Sequence, residues 1–277
     1  MGYLYKITKA FIQLAFLIYA ISIIYPFVWM FINSLKTGPE FYQNIWSLPQ
    51  EWRWSNYGKA WSESGLGTYF INSLYLTGAG TALAVLFAAA PAYAVAKFKF
   101  FGSAVIFFLA VSTFFIPSVG SLAALYKLMI DLHLFNSHLG LLVLYSGGLG
   151  MNFIILYGFF KGISWEYAEA AYMDGANDWQ VFFRIMLPLA KPGLTAVGLV
   201  TMIGIWNDYF MPYLFLQDSK LFTISVGLYD MVLKQQYAAD WTTLFAALTL
   251  STIPILIVYL WLQDRLISGF TTGGLKG

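Results

Sequence analysis

Charge is absent from long stretches of the chain. Residues 11–35, 68–96, 101–126, 139–160 and 241–263 contain no Asp, Glu, Lys or Arg, and 194–217 contains only Asp208. Each stretch meets the length of about 20 apolar residues that an α-helix needs to cross a bilayer. The pattern predicts an all-α, polytopic membrane protein with six transmembrane helices, and an even number of crossings leaves both termini on one side. Lys6 and Lys9 precede the first stretch, and Ala20-Ile21-Ser22 resembles a leader cleavage site. The run is longer than the roughly 7–15 residues of a leader's apolar region, so it reads as an anchor. With the N-terminus inside, the inner segments carry nine of the 15 Lys+Arg. That bias agrees with N- and C-termini that are cytoplasmic.

Composition narrows the class. The 277 residues are 60% hydrophobic and 10% charged, against roughly half and a quarter in soluble domains. An ordinary soluble enzyme, a nucleic-acid binder and a disordered scaffold are all excluded. The net charge of +2 says nothing about partners. The absence of cysteine removes disulfides, thiolate metal sites and a cysteine nucleophile. Pro26, Pro91, Pro117, Pro212 and Pro254 fall inside the spans, where proline is expected to kink a helix. Gly78, Gly80 and the run Ala88-Ala89-Ala90 suit close helix packing. Gly147, Gly148 and Gly150 read either as packing or as a deformable point. The aromatic residues, 19% of the chain, suit interfacial belts and bundle filling.

Recognisable catalytic chemistry is missing. No phosphate-binding loop, zinc-protease motif or nucleophile elbow occurs, so no catalytic, cofactor-binding or metal residue is assigned. A proton relay would use intramembrane acids or histidines, whereas His133 and His138 lie between spans. Asp208 is the one acid within a stretch. With Asn207 and Asn152 it could line an aqueous path, Trp206, Tyr209 and Tyr213 stacking on a solute. Equally, Asp208 could cap a neighbouring helix and only fix the bundle. An ATPase-independent secondary carrier and a polytopic enzyme acting on lipid or glycan are the alternative classes, and the lack of intramembrane titratable pairs counts against both.

The longest inner segment, 161–191, has a helical design of its own. Ser164 suits an N-cap for a helix starting at Trp165, with Glu166 and Glu169 toward its positive end. Asp174-Gly175 is a stop signal, and Asn177 or Asp178 can cap a second helix through Val181, Phe182, Ile185 and Met186. Pro188 and Pro192 are expected to break the chain before the next span. The segment thus reads as helix–turn–helix with apolar residues left exposed, which implies a protein partner.

Glu169-Ala170-Ala171, then Gly175, Ile185 and Leu187-Pro188 match the E-A-A-x3-G-x9-I-x-L-P signature at every fixed position. The chain thereby resembles the inner-membrane permease subunits of binding-protein-dependent ABC importers. Asn72-Ser73, Ala92-Tyr93-Ala94 with Phe98, Phe100-Phe101-Gly102, Trp206-Asn207-Asp208 and the tail from Gly269 to Gly277 are similar to the carbohydrate-uptake branch, in particular the smaller six-span permease of maltose-type systems. Two features depart from the pattern: aromatic Tyr167 precedes the acidic residue, and Gly273-Gly274-Leu275 stands where Gly-Ala-Val is expected.

The resemblance implies a type I ABC importer permease fold: residues 1–277 as a single transmembrane domain, 68–265 as the permease core and 161–191 as the cytoplasmic coupling loop. It implies a second homologous permease in a heterodimer, two ATPase subunits, an extracytoplasmic solute-binding protein and a multi-pass place in the prokaryotic plasma (inner) membrane. No cofactor is expected on this chain, since ATP and Mg2+ would sit on the ATPase subunits. Glu166, Glu169, Ala170, Ala171, Gly175, Ile185, Leu187 and Pro188 would dock the ATPase subunit, with Ile185 and Leu187 tying the loop to its own bundle. The outer segments 36–67 and 217–240 would face the binding protein. The spans contain no Lys or Arg, which points to a neutral sugar as solute.

Overall fold

The computed structural model describes the backbone of residues 2–113, 115 and 118–274, and the side chains of 5–113, 115, 120–235 and 237–260. Every regular element among them is helical. The chain forms two compact units, one from residues 1–67 and 227–256 and the other from 68–226 and 257–277. Pro117 and the last three tail residues lie outside the described residues, as do the side chains from 261 onward.

The first unit contains α1 (Gly2–Ser34), α2 (Gly38–Gln43), α3 (Ser55–Ser62), most of α14 (Ile224–Ala238) and the first half of α15 (Trp241–Gly274). Beyond α1 the chain doubles back. Lys36 is fully buried and donates from Nζ to the Asn44 carbonyl at 2.9 Å. Burial pushes its ammonium pKa down, and the charge of Glu40 opposes that shift. Thr37 and Glu40 form a capping box at the start of α2, and Glu40 Oε1 also accepts from the backbone N–H groups of Gln50 and Glu51. Backbone hydrogen bonds, first that from Thr37, hold the Glu40 carboxyl below its usual range. The Arg53 N–H donates to the Leu35 carbonyl at 2.8 Å and closes the excursion.

Asp240 caps α15. Its Oδ1 accepts from the Thr243 N–H, its Oδ2 from the Thr243 hydroxyl, and Lys59 of α3 pairs with Oδ2. Burial raises the Asp240 pKa, but the hydrogen bond from Lys59 and those from Thr243 outweigh it and leave the carboxyl below its ordinary value.

The second unit is built on α4 (Leu66–Lys97), followed by α5 (Ser103–Ser112), α6 (Leu122–Asp131), α7 (His138–Tyr145), α8 (Met151–Gly162), α9 (Glu166–Met173), α10 (Asp178–Val181), α11 (Leu187–Leu189), α12 (Lys191–Asn207) and α13 (Phe210–Phe215). The six charge-free stretches are therefore not six uninterrupted rods. Tyr5–Ser34, Leu66–Lys97 and Trp241–Leu260 are long and apolar enough to cross a membrane, with mean hydropathy 2.1, 1.7 and 2.1. The stretches 101–126, 139–160 and 194–217 are each divided between two helices. α1, α4 and α15 run on through Pro26, Pro91 and Pro254. Pro212 stands in the first turn of α13, where no intrahelical N–H is needed. Pro188 and Pro192 likewise open α11 and α12, so the expected break is a 76° bend at Ala190 without a loop.

Glycine explains the break between α7 and α8. Gly150 adopts φ +115°, which is strained for other residues. At Gly148 an added Cβ would sit 2.3 Å from the Phe87 carbonyl oxygen of α4. The unit has two apolar clusters at different levels along α4. One joins Leu76 of α4 to Met129, Leu141, Leu142, Phe215 and Leu216. The other joins Ala88, Ala89 and Ala92 of α4 to Phe153, Leu156 and Phe160 of α8 and continues into α9–α11.

Gly148→Ala should therefore cost about 1–3 kcal/mol through overpacking, measured as a lowered midpoint of thermal unfolding in detergent. Gly158→Ala, where nothing lies within 4 Å, should be neutral or stabilising by about 0.5–1 kcal/mol. At Asp240, replacement by Asn keeps the cap and should cost at most about 1 kcal/mol at pH 7, because Lys59 is half exposed. Asp240→Ala should cost about 1 kcal/mol more. Since the folded-state pKa is depressed, the Asp-to-Asn difference is present above the unfolded value near 3.9 and should disappear in melts taken as pH falls through the folded value.

Candidate functional site

The segment between α8 and α12 is held to the bundle by small and aromatic residues. Ala168 and Ala171 bury one face of α9, letting the helix lie close to its neighbours. Tyr93 of α4 meets Phe182 at 5.1 Å and Phe160 at 5.5 Å, while Phe98 meets Trp165 at 5.5 Å. Such ring pairs add about 0.5–1.5 kcal/mol each beyond their burial. Lys97 at the end of α4 donates to the Ile163 carbonyl.

Local signals shape the turn. α9 begins at Glu166, one residue later than the spacing predicts, and Ser164 Oγ accepts from the Glu166 N–H. Gly175 takes φ +84°, the left-handed conformation that ends a helix most readily at glycine. Asn177, not Asp178, caps α10, forming a capping box with Gln180. Asp178 instead accepts from the Tyr172 hydroxyl at 2.8 Å. Burial, and then that hydrogen bond, push the Tyr172 pKa up to about 12. Residues 182–186 form a turn of π-helix rather than a continuation of α10.

The signature residues divide by burial. Glu166, Glu169, Ala170, Gly175 and Pro188 are exposed. Ala171 is buried, and Ile185 and Leu187 pack half-buried against the core, so these three help secure the loop. Asp174, Gly175, Ala176, Gln180, Arg184 and Ile185 line an open groove of about 320 Å³. The signature misses five exposed apolar residues of the segment, Tyr167, Met173, Trp179, Phe183 and Leu189. Trp179 and Phe183 stack at 6.0 Å, and their four-residue spacing on the second helix is the signal that could have found them.

A second set of polar residues lies where helices stop. Asp208 is in extended conformation just after α12. Its Oδ2 accepts from the Tyr145 hydroxyl at 2.8 Å, and its Oδ1 from the Met211 N–H at 3.2 Å. Of the two roles open for Asp208 in the sequence, capping is the one its contacts display. Tyr145, which sequence reasoning missed, ends α7, so the bond joins the ends of two interrupted helices. Asn207 is exposed and donates to the Ile203 carbonyl, Asn152 donates to Thr201 Oγ1 at 3.1 Å, and Trp206 is buried edge-on to Phe70. Tyr209 and Tyr213 stack at 5.1 Å, with Tyr213 exposed. Among the described residues no group of three His, Asp or Glu is placed to hold a metal ion.

Residues 80–271 match the family model described as binding-protein-dependent transport system inner membrane component. The chain is 31% identical over 258 residues to the diacetylchitobiose uptake system permease protein NgcG of Streptomyces coelicolor, covering 93% of this chain and 85% of the relative. It is 31% identical over 279 residues to the galactooligosaccharides transport system permease protein GanQ of Bacillus subtilis, covering 98% and 96%. A crystal structure of a bacterial ABC transporter that imports the acidic polysaccharide alginate contains a chain of the same fold. Its TM-score is 0.85 at 27% identity, covering 94% of this chain and 96% of that one.

Replacing Tyr145 by Phe should leave the Asp208 carboxylate short of a partner and cost about 1–3 kcal/mol. In a thermal-unfolding double-mutant cycle, Tyr145→Phe with Asp208→Asn should cost less than the sum of the two.

Proposed function

The chain belongs to the family of binding-protein-dependent transport system inner membrane components, and from that premise we propose that it forms the membrane path of an ATP-driven importer for a sugar or oligosaccharide. As in its family, it is a transport subunit and not an enzyme. In this reading the three continuous helices and the three divided stretches make six crossings, with both termini cytoplasmic. A second permease completes a heterodimer, two ATPase subunits carry ATP and Mg2+, and a solute-binding protein delivers the sugar from outside.

The observation that carries the reading is the construction of 161–191. Its buried Ala168, Ala171 and Phe182 fix it to the cluster at α4 and α8, while Glu166, Glu169, Tyr167, Met173, Trp179 and Phe183 are left exposed. A partner that engages α9 would thus engage the bundle as well. ATP binding, by favouring one arrangement of the ATPase pair, would shift the permease between two states through its differential contacts with this surface.

The sugar assignment draws on the relatives' own substrates, diacetylchitobiose and galactooligosaccharides. Exposed Asn207 and the stacked Tyr209–Tyr213 pair offer the hydrogen-bonding groups and aromatic faces that a neutral sugar uses. Asp208, Trp206 and Asn152 would support that wall of the path through the contacts they make to the chain itself.

The test is reconstitution of the complete importer in liposomes, with uptake and ATP hydrolysis measured together. Gly175→Pro, whose ring forbids φ +84°, should reach the membrane yet hydrolyse ATP without solute uptake. Gly175→Ala, with space for its Cβ but about 1–2 kcal/mol of strain, should be intermediate. Normal uptake by the proline variant would refute the coupling role of this loop.

A further inference from the structure

The excursion between α1 and α3 is stabilised as a closed loop, and its tip is unusually apolar. Trp46, Leu48, Trp52 and Trp54 are 67%, 66%, 55% and 60% exposed. Glu51 and Arg53, 3.7 Å apart and themselves exposed, are interleaved with the last two tryptophans. Four large apolar side chains open on nine residues form a patch that water disfavours.

The loop does not project away from α1. Trp46 stacks on Tyr25 with centroids 6.4 Å apart and meets Trp29 at 5.8 Å, while Trp54 meets Phe31 at 6.3 Å. At 1.5 Å per residue, Trp29 lies about 8 Å and Tyr25 about 14 Å inside the end of α1 at Ser34. The charge-free run 11–35 would be about 37 Å long as a helix, against a hydrocarbon core of about 30 Å. Its last few residues therefore reach the headgroup layer, Trp29 falls near the hydrocarbon edge, and Tyr25 lies about 6 Å deeper. α15 supports the same level. Asp240 ends the polar segment, Phe245 lies about one turn further in, and Trp29 meets Phe245 at 5.2 Å.

We propose that residues 46–54 form a membrane-interface anchor, with Trp46 and Leu48 at the hydrocarbon edge of the outer leaflet and Trp52, Trp54, Glu51 and Arg53 among the phospholipid headgroups. Indole rings favour this layer because their apolar bodies face the acyl chains while their N–H groups stay hydrated. Buried Lys36, its bond to Asn44, and Glu40 bound to Gln50 and Glu51 fold the loop onto α1 and fix that depth. Of the two outer segments expected to face the binding protein, this one is assigned to lipid instead. The inference rests on the membrane location of α1 and α15 and is independent of the solute.

The lack of cysteine allows a direct test. Single Trp46→Cys, Leu48→Cys and Trp52→Cys variants of the full chain carry nitroxide labels in phosphatidylethanolamine–phosphatidylglycerol nanodiscs. Tyr25→Cys serves as the lipid reference and Glu63→Cys as the water reference. Labels at 46 and 48 should collide more with oxygen than with a water-soluble nickel chelate, as at 25, while the label at 52 is intermediate between 25 and 63. Addition of the importer's solute-binding protein should leave all three unchanged. Chelate access at 48 equal to that at 63 overturns the proposal, as does shielding of 48 from both reagents or its immobilisation by the binding protein. Leu48→Cys retains Trp46, so its result stands even where Trp46→Cys disturbs the loop.

Discussion

A helix that stops within a bilayer releases backbone groups that lipid cannot satisfy. The second unit interrupts its helices and supplies partners from within. Asp208 accepts the Met211 N–H at the start of α13, and Ser225 Oγ donates to the Trp206 carbonyl near the end of α12. Tyr145 then ties Asp208 to the end of α7. Where α7 gives way to α8, Gly148 lets the chain lie directly against the backbone of α4. An intramembrane acid is costly alone. In the proposed six-crossing reading Asp208 is such an acid, and it stabilises a break that would otherwise be costly too, so the acid and the interruption are two parts of one arrangement.

The interruptions divide the packing while α4 stays continuous. One apolar cluster forms around Leu76 and Leu141, the other around Ala88 and Phe160, and α4 contributes to both. The segment 161–191 belongs to the second cluster through alanines and aromatic rings. Close-packed rings transmit displacement because interiors have little free volume. The left-handed turn at Gly175 and the capping box at Asn177 set the direction of the two short helices on that base.

The sequence made some of these elements legible and hid others for physical reasons. Three of the charge-free stretches, 11–35, 68–96 and 241–263, coincide with helices long and apolar enough to cross a membrane, because charge is excluded from lipid. The turn at Gly175 and the cap at Asn177 were readable because these residues act within three positions of themselves, whereas Trp165 rather than Ser164 stands at the N-cap of α9. The interruptions at 146–150 and 208–209 were harder to read, since hydropathy is the same on both sides of a break. Glycine at 147–150 suggested one, but its backbone contact at Phe87 comes from a residue about sixty positions away. Tyr145 was missed as the partner of Asp208 for the same reason, and so was the doubling back of Trp46 onto Tyr25. Pro188 and Pro192 correctly signalled a break before the next span, which takes the form of a 76° bend at Ala190 rather than a loop.

The N-terminal end of α4 carries a consequence for biosynthesis. Asn72 donates to the carbonyls of Lys220 and Phe222, and Ser73 accepts the N–H of Ile224. These partners are made about 150 residues later. At roughly 5–20 residues per second of synthesis, the delay is about 8–30 s. Throughout it, the nascent chain must keep two polar side chains at the head of a membrane helix. Asn72 stays partly exposed even in the finished fold, so water at the membrane surface can stand in for the missing carbonyls until the last quarter of the chain arrives to replace it.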